Sequence, residues 1–327
     1  MAACPALVRL SPAVIVISFL MSQNEFAPSQ PGSIAITGAS GLLGTALCHA
    51  LTKDNQDVIS LRRGEASPGS ATWNPSTGEI HAGKPLRAIV HLAGESVVGR
   101  WTPAKKQRIR DSRVGPTRKL SEEIAKMANP PEVLLSASAI GIYGERGDEI
   151  VNEHSEPGPG FLPEVCREWE EATAPAVDAG VRVVHLRIGI VLSSKGGALA
   201  KTLLPFKLGL GGPVGNGRQW MSWISLCDAI SAMEHALQND RIEGAMNLVA
   251  PHAVTNKEFT KSLGKALRRP AILPVLGPLV KVAFGEMGKE LVLCSTRVEP
   301  AWLWTSGYQF KHPNLDGALH YALHEEK

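Results

Sequence analysis

Three glycines, Gly38, Gly41 and Gly44, stand three residues apart directly after a short apolar run, Ser33–Thr37. Because glycine carries no side chain, a turn built on them can bring backbone N–H groups against the pyrophosphate of a dinucleotide. Gly38 would allow the sharp turn, Gly41 the approach to the anion, and Gly44 close packing of a helix on the strand. The spacing predicts a dinucleotide site, although a plain strand–turn–helix connection could use the same residues.

Apolar residues recur at helical spacing after the glycines, which predicts a helix that begins at the turn. They are Leu42, Leu43, Ala46, Leu47, Ala50 and Leu51. The N-terminus of such a helix offers unpaired N–H groups and a partial positive charge to an anion. The residues that we expect to hold the cofactor on this stretch are Thr37, Gly38, Ser40, Gly41, Leu42, Leu43 and Gly44.

Two adjacent arginines, Arg62 and Arg63, indicate which dinucleotide is bound. They follow a predicted second strand at 57–61, about 20 residues past the glycines, where an NAD enzyme tends to carry an acid for the ribose 2′-hydroxyl. A guanidinium can instead hold a 2′-phosphate with two hydrogen bonds. Asp57 lies at the wrong end of the strand to compete. The pattern favours NADP(H) over NAD(H), and the alternative is an ordinary pair of surface arginines.

A parallel sheet would bring these residues together, and the chain alternates apolar runs with helical patterns at the rhythm of one. Further strands are predicted at 88–93, 132–138 and 181–192. Ligands in such sheets bind at the carboxyl ends of the strands, where Leu92, Ala93 and Gly94 also fall. The predicted fold class is α/β, a Rossmann-like doubly wound parallel sheet with a small, mostly helical C-terminal region that caps the substrate side.

The basic stretch between Arg100 and Lys119 holds eight basic residues and one acid. We interpret most of them as a solvated helix face, and expect Arg113 to turn toward the cofactor or an anionic substrate. The glycine-rich segment 207–223 carries two tryptophans, and its length favours a lid over a plain connection. We expect an NADP-binding Rossmann-like domain at 33–200, and the lid, remaining sheet elements and cap at 201–327.

Composition excludes several classes of protein. With 34 basic and 31 acidic residues, the net charge of +3 is too balanced to argue for nucleic acid or a membrane surface. The five cysteines are scattered and never paired at C-x-x-C spacing, so neither a disulfide framework nor a metal site is expected. Residues 1–32 are expected to be a disordered leader or a mis-assigned start. A cytoplasmic protein is favoured, with organelle import the alternative if these residues form a transit peptide.

The chain resembles the extended and atypical short-chain dehydrogenase/reductases, most closely the epimerase family proteins of the nucleotide-sugar epimerase type. The segments that carry the likeness are TGASGLLG at 37–44, HLAGES at 91–96, SASAIGIYG at 136–144, LRIGIVLSSKGGAL at 186–199 and LPFKLGLGGPVGNGRQWMSWIS at 204–225. The tail at 269–323 resembles that subfamily's C-terminal extension. The resemblance implies NADP(H) held by the glycine turn, the two arginines, Leu92 and Ala93, and a substrate cleft closed by the C-terminal part.

The sequence departs from this family where the chemistry is done. Family members with established chemistry use Tyr-x-x-x-Lys on a helix, where the lysine lowers the pKa of the phenol so that it can pass a proton. No such pair occurs in this sequence. The corresponding positions hold Leu162 and Cys166, or Phe161 and Val165 one register away. The proton-relay half of the site is therefore missing.

If catalysis remains, we expect Tyr143 or Ser138 to be the proton donor. Their alternative roles are strand-end packing for Tyr143 and a backbone-capping hydroxyl for Ser138. The leading hypothesis is an NADP(H)-dependent oxidoreductase or epimerase that acts on a small polar metabolite, with a nucleotide-sugar as one candidate. The alternative is a non-catalytic NADP(H)-binding regulatory protein, which the missing pair favours.

Overall fold

The computed structural model describes residues 32–64 and 71–326. The strands are β1 (Ser33–Thr37), β2 (Val58–Arg63), β3 (Thr72–Trp73), β4 (Ile80–His81), β5 (Leu86–His91), β6 (Val133–Ala139), β7 (Ile150–Val151), β8 (Arg182–Ile188), β9 (Ile190–Leu192), β10 (Trp220–Met221), β11 (Trp223–Ser225), β12 (Gly244–Leu248), β13 (Val254–Thr255) and β14 (Arg297–Val298). The expectations for residues 1–31, and the choice of compartment that depends on them, fall outside the described residues.

Helices alternate with the longer strands. They are α1 (Leu42–Lys53), α2 (Pro103–Asp111), α3 (Val114–Lys126), α4 (Phe161–Glu171), α5 (Ala174–Asp178), α6 (Gly197–Lys207), α7 (Leu226–Gln238), α8 (Asn256–Leu267), α9 (Gly277–Phe284), α10 (Ala301–Thr305) and α11 (Leu315–His320). Single turns of other helical types lie at Ile140–Tyr143, Gly288–Val292 and Tyr321–Glu325. Within the described ranges, no helix is both long and apolar enough to cross a bilayer.

An eight-stranded sheet lies at the centre, in the order β12-β8-β6-β5-β1-β2-β3-β4. All neighbouring pairs are parallel except β3 and β4. The chain moves outward from β1 to β2 and β3, then returns to β5 on the other side of β1. The strand order therefore reverses between β1 and β5, and a crevice opens at their carboxyl ends. The predicted doubly wound fold is confirmed.

Helices cover both faces of the sheet because side chains alternate along each strand. On one face, Ile34 and Ile36 pack into a core with α1 and α7. On the other face, Ala35 packs with Leu120 of α3 and Ala176 of α5. A further cluster joins α6, α8 and α11, which places the mostly helical C-terminal region beside the sheet, as predicted. Helix α6 runs through residue 200, where the sequence suggested a domain boundary.

The structure divides two elements that the sequence predicted as single. The strand expected at 181–192 breaks at Gly189, where a Cβ would lie 2.7 Å from Val249 Cγ1 and 2.9 Å from the Ser222 carbonyl oxygen. After the break, β9 leaves the main sheet and pairs with β11. The sequence pattern at 163–178 also predicts a single helix, but the structure has α4 followed by α5, which has a proline in its first turn. Both predictions of single elements were wrong.

Candidate functional site

The turn after β1 lies against the chain that follows β5. Gly38 has φ +68°, a conformation that favours glycine. A Cβ on Gly38 would lie 2.8 Å from the carbonyl carbon of Leu92 and 2.9 Å from the nitrogen of Ala93. Any side chain there would push the two segments apart. The glycine turn and the residues after β5 thus meet at the crevice, as the carboxyl-end argument predicted.

The N-terminus of α1 faces this turn. A Cβ on Gly44 would lie 2.7 Å from the Cα of Ala39, so helix and turn are in close contact at this glycine. Gly41 occupies the N-cap, no side chain caps the helix, and its first turn holds no acid. The leading N–H groups of α1, including those of Leu42 and Leu43, are therefore available to an anion. Ser40 and Gly41 are exposed beside them.

Arg62 and Arg63 end β2, the neighbour of β1, and both side chains are exposed. Neither forms an ion pair with another described residue. Ser60 faces α1, since its Oγ lies 3.6 Å from the Sγ of Cys48 on that helix. Because side chains alternate along a strand, the side chain of Arg62 lies on the same face as that of Ser60, and the side chain of Arg63 lies on the opposite face. Arg62 is thus on the same side of the sheet as α1.

Arg113 supports the segment after β5. Its Nη2 donates a hydrogen bond to the Glu95 carbonyl oxygen at 2.9 Å, and its Nη1 donates to the Ile109 carbonyl oxygen at 3.0 Å. The guanidinium carbon lies 5.0 Å from the ring centroid of Trp169. Burial lowers the pKa of Arg113. These contacts hold the backbone beside Gly94 in place, while contact with a cofactor stays a prediction.

A buried chain of hydrogen bonds runs beneath the crevice. His91 Nδ1 lies 2.7 Å from Thr37 Oγ1, and His91 Nε2 lies 3.1 Å from Thr117 Oγ1. Trp169 Nε1 donates to the same Thr117 hydroxyl at 2.9 Å. Burial lowers the pKa of His91 to about 4, so the imidazole is neutral near pH 7. These hydrogen bonds tie β1 and β5 to α3 and α4.

The two candidate proton donors belong to a second buried network. The Tyr143 hydroxyl donates to Asn247 Oδ1 at 2.7 Å and accepts from Arg187 Nη1 at 3.0 Å. Burial raises the pKa of Tyr143 to about 12. Ser138 Oγ donates at 2.6 Å to Glu170, whose carboxylate receives two hydrogen bonds of 2.9 Å from Arg187. Neither hydroxyl lines the neighbouring cleft, so a catalytic role for either stays a prediction.

A cleft of about 890 Å³ opens beside the crevice, at the carboxyl ends of β6 and β8. Leu162 of α4 lines it. Cys166, one turn further along the helix, is buried, and burial raises the pKa of its thiol to about 12. That these two residues stand at the positions of the Tyr-x-x-x-Lys pair, with Phe161 and Val165 as the alternative, stays a prediction.

The glycine-rich segment contributes one wall of this cleft through Gly212, Val214 and Trp220. Its closure over a ligand stays a prediction. Lys281, Lys289 and Glu290 also line the cleft. Sequence reasoning missed these three, because they lie in the C-terminal extension outside any motif with a known chemistry. Among the described residues, no group of His, Cys, Asp and Glu could hold a metal ion.

Similarity to known proteins extends over most of the chain. Residues 34–248 match the NAD dependent epimerase/dehydratase family, and residues 277–322 match a domain of unknown function, DUF1731. An epimerase family protein of Mycobacterium tuberculosis is 42% identical over 293 residues, which are 88% of this chain and 97% of that protein.

Two crystal structures are similar to this one. Human epimerase family protein SDR39U1 (isoform 2) with NADPH has a TM-score of 0.82 at 32% identity, covering 89% of this chain and 98% of that chain. A nucleoside-diphosphate sugar epimerase from Corynebacterium glutamicum has a TM-score of 0.76 at 36% identity. That match covers 95% of this chain and 62% of the other.

Proposed function

The chain belongs to the NAD dependent epimerase/dehydratase family, and on that premise we propose that it binds NADP(H) in the crevice between β1 and β5 and acts as an oxidoreductase. The observation that carries the proposal is a helix N-terminus without a side-chain cap beside two arginines, one strand away, that form no ion pair with another described residue. The first suits a diphosphate and the second a ribose 2′-phosphate. The similar human protein crystallised with NADPH supports the same choice.

The residues that would hold the cofactor divide by the part they contact. Backbone N–H groups of α1 and of the glycine turn would bind the diphosphate, and Arg62 with Arg63 would bind the 2′-phosphate. The segment after β5, supported by Arg113, would line the nicotinamide half. These cofactor residues are Thr37, Gly38, Ser40, Gly41, Leu42, Leu43, Gly44, Arg62, Arg63, Leu92, Ala93, Gly94 and Arg113.

When bound, the nicotinamide ring supplies or accepts a hydride. The chain contributes the neighbouring cleft, whose apolar wall excludes water and positions a small-molecule substrate. A proton must also move in such a reaction. For Tyr143 or Ser138 to supply it, each hydroxyl would first have to leave its partner, Asn247 or Glu170. The substrate expected from the resemblance, a nucleotide-sugar, is supported by the name of the similar Corynebacterium glutamicum protein.

A second candidate function is a non-catalytic regulator that binds NADP(H) and changes its partner affinity with cofactor occupancy. The absence of a Tyr-x-x-x-Lys pair from the sequence favours it, because neither Leu162 with Cys166 nor Phe161 with Val165 can do acid–base chemistry near pH 7. Turnover separates the two functions. The oxidoreductase oxidises NADPH with some carbonyl compound, whereas the regulator binds NADPH tightly and oxidises none.

Isothermal titration calorimetry of the full chain with NADPH and with NADH tests the cofactor part. We expect saturable binding of NADPH at one site, at least tenfold tighter than that of NADH. Absence of binding by either dinucleotide would overturn the proposal, and tighter binding of NADH would overturn the role of the arginines.

A further inference from the structure

The walls of the cleft are chiefly aliphatic and aromatic. The apolar side chains that line it come from several elements and include Leu162, Ile188, Leu199, Phe206, Trp220 and Phe259. Leu199 and Phe259 are buried below its surface, and Trp220 is half-buried. Binding to such a surface is favourable for the apolar part of a ligand, because contact removes that part from water. Apolar side chains offer no hydrogen bond to a ligand hydroxyl group.

Most polar side chains of the wall are already paired within the protein. The hydroxyls of Thr202, Ser222 and Thr296 donate to backbone carbonyl oxygens at 2.8, 2.9 and 2.9 Å. Asn256 Oδ1 accepts from the Val214 N–H at 2.7 Å. A base and a sugar need partners for many donors and acceptors, and burying them unpaired is unfavourable. The wall is therefore a poor match for a nucleotide-sugar.

Two carboxylates and two ammonium groups line the cleft, and the two kinds of group are engaged differently. Glu145 accepts from the Ser295 N–H at 2.8 Å, and Glu290 accepts from the Leu162 N–H at 3.2 Å. Lys281 and Lys289 also line the cleft, with exposed side chains, and neither forms an ion pair with another described residue. The two carboxylates thus serve the fold, whereas the two ammonium groups remain free to meet an anion.

We propose that this cleft binds an amphipathic anion, with an apolar body against the wall and one acidic group at Lys281 and Lys289. The inference rests on the proposed function only in placing this ligand beside the cofactor. This ligand differs from the polar metabolite expected from the sequence, because most polar side chains of the wall are already hydrogen-bonded within the protein. It also gives the C-terminal extension a role, since that segment supplies both lysines.

Calorimetry with a matched pair of probes tests the proposal on the full chain. The probes are 4-phenylbutyrate and its neutral alcohol, 4-phenylbutan-1-ol, which share an apolar body and differ in charge. We expect the acid to bind about tenfold tighter than the alcohol, because its carboxylate would form partly exposed ion pairs with Lys281 and Lys289. The preference should shrink at high salt, because exposed charges are screened. UDP-glucose should bind more weakly than the acid.

The double variant Lys281→Gln/Lys289→Gln should bind acid and alcohol equally. The matched control is Lys207→Gln, an exposed lysine on α6 outside the cleft, and it should keep the tenfold preference. A preference that survives in the double variant, or UDP-glucose binding tighter than the acid, would overturn the proposal. NADPH titration of the same samples reports separately on the cofactor: loss of NADPH binding with an intact acid preference would refute the proposed function alone.

Discussion

Replacing Arg62 and Arg63 together by alanine should weaken NADPH binding by at least tenfold, or about 1.4 kcal/mol. Both side chains are exposed and neither has an ion-pair partner among the described residues, so their removal leaves no buried charge behind and should not disturb folding. The loss follows from charge-assisted hydrogen bonds to the 2′-phosphate, each stronger than a neutral one. NADH lacks that phosphate, and its affinity should change less than twofold.

The two single variants should differ. Arg62 shares the face of β2 that Ser60 turns toward α1, so Arg62→Ala should account for most of the loss and Arg63→Ala for less. Arg241→Ala is the matched control. Arg241 is exposed and precedes β12, at the amino end of the parallel strands, away from the crevice.

Calorimetric titration of each variant with NADPH and NADH at one salt concentration measures these affinities, because exposed charge interactions are screened by salt. Equal losses for both dinucleotides would mean that the arginines do not contact the 2′-phosphate. A comparable loss in Arg241→Ala would mean that general positive charge, rather than position, attracts the cofactor. Either result would refute the reasoning from strand position.

Three further predictions concern the scaffold. Gly38→Ala should lower the free energy of unfolding by about 1–3 kcal/mol, measured by urea denaturation, because φ is +68° and the added Cβ would meet Leu92 at 2.8 Å; an unchanged midpoint would contradict the close approach. Tyr143→Phe should cost about 1–3 kcal/mol by the same measurement, since it leaves buried partners unsatisfied, and should leave NADPH affinity unchanged if the hydroxyl is structural. The pKa of His91 is about 4 in the folded protein, below its unfolded value. The contribution of His91 to the free energy of unfolding should therefore be complete above about pH 6.5 and decline toward pH 4. In His91→Asn, urea denaturation over the same pH range should show a smaller decline.

The turn and helix of the candidate cofactor site were largely predictable because their determinants are local, while the contacts of the predicted residues with a cofactor stay a prediction. The spacing of Gly38 and Gly44 alone predicts a turn and a close helix contact. The turn geometry follows because glycine readily adopts a positive φ. The position of Arg62 follows from strand length and the direction of parallel strands. Each of these steps uses residues within one strand–turn–helix unit, where sequence order and spatial order agree.

The substrate side was not predictable, because its determinants come from distant parts of the chain. Gly189 breaks a run of β-branched residues only because Val249 and Ser222 pack against it, and no local pattern reports that contact. Tyr143 looks like a proton donor in the sequence, yet its hydroxyl is engaged by Asn247, 104 residues away. Lys281 and Lys289 meet the cleft through folding of the C-terminal extension.

The glycine turn and the two arginines place different constraints on how the sequence could change in evolution. Position 38 favours glycine, since both its φ of +68° and the close approach of Leu92 disfavour a side chain. Arg62 and Arg63 are exposed and form no ion pair with another described residue, so their replacement should leave the architecture intact. If they hold the 2′-phosphate as proposed, two surface substitutions would exchange one dinucleotide for the other within the same scaffold.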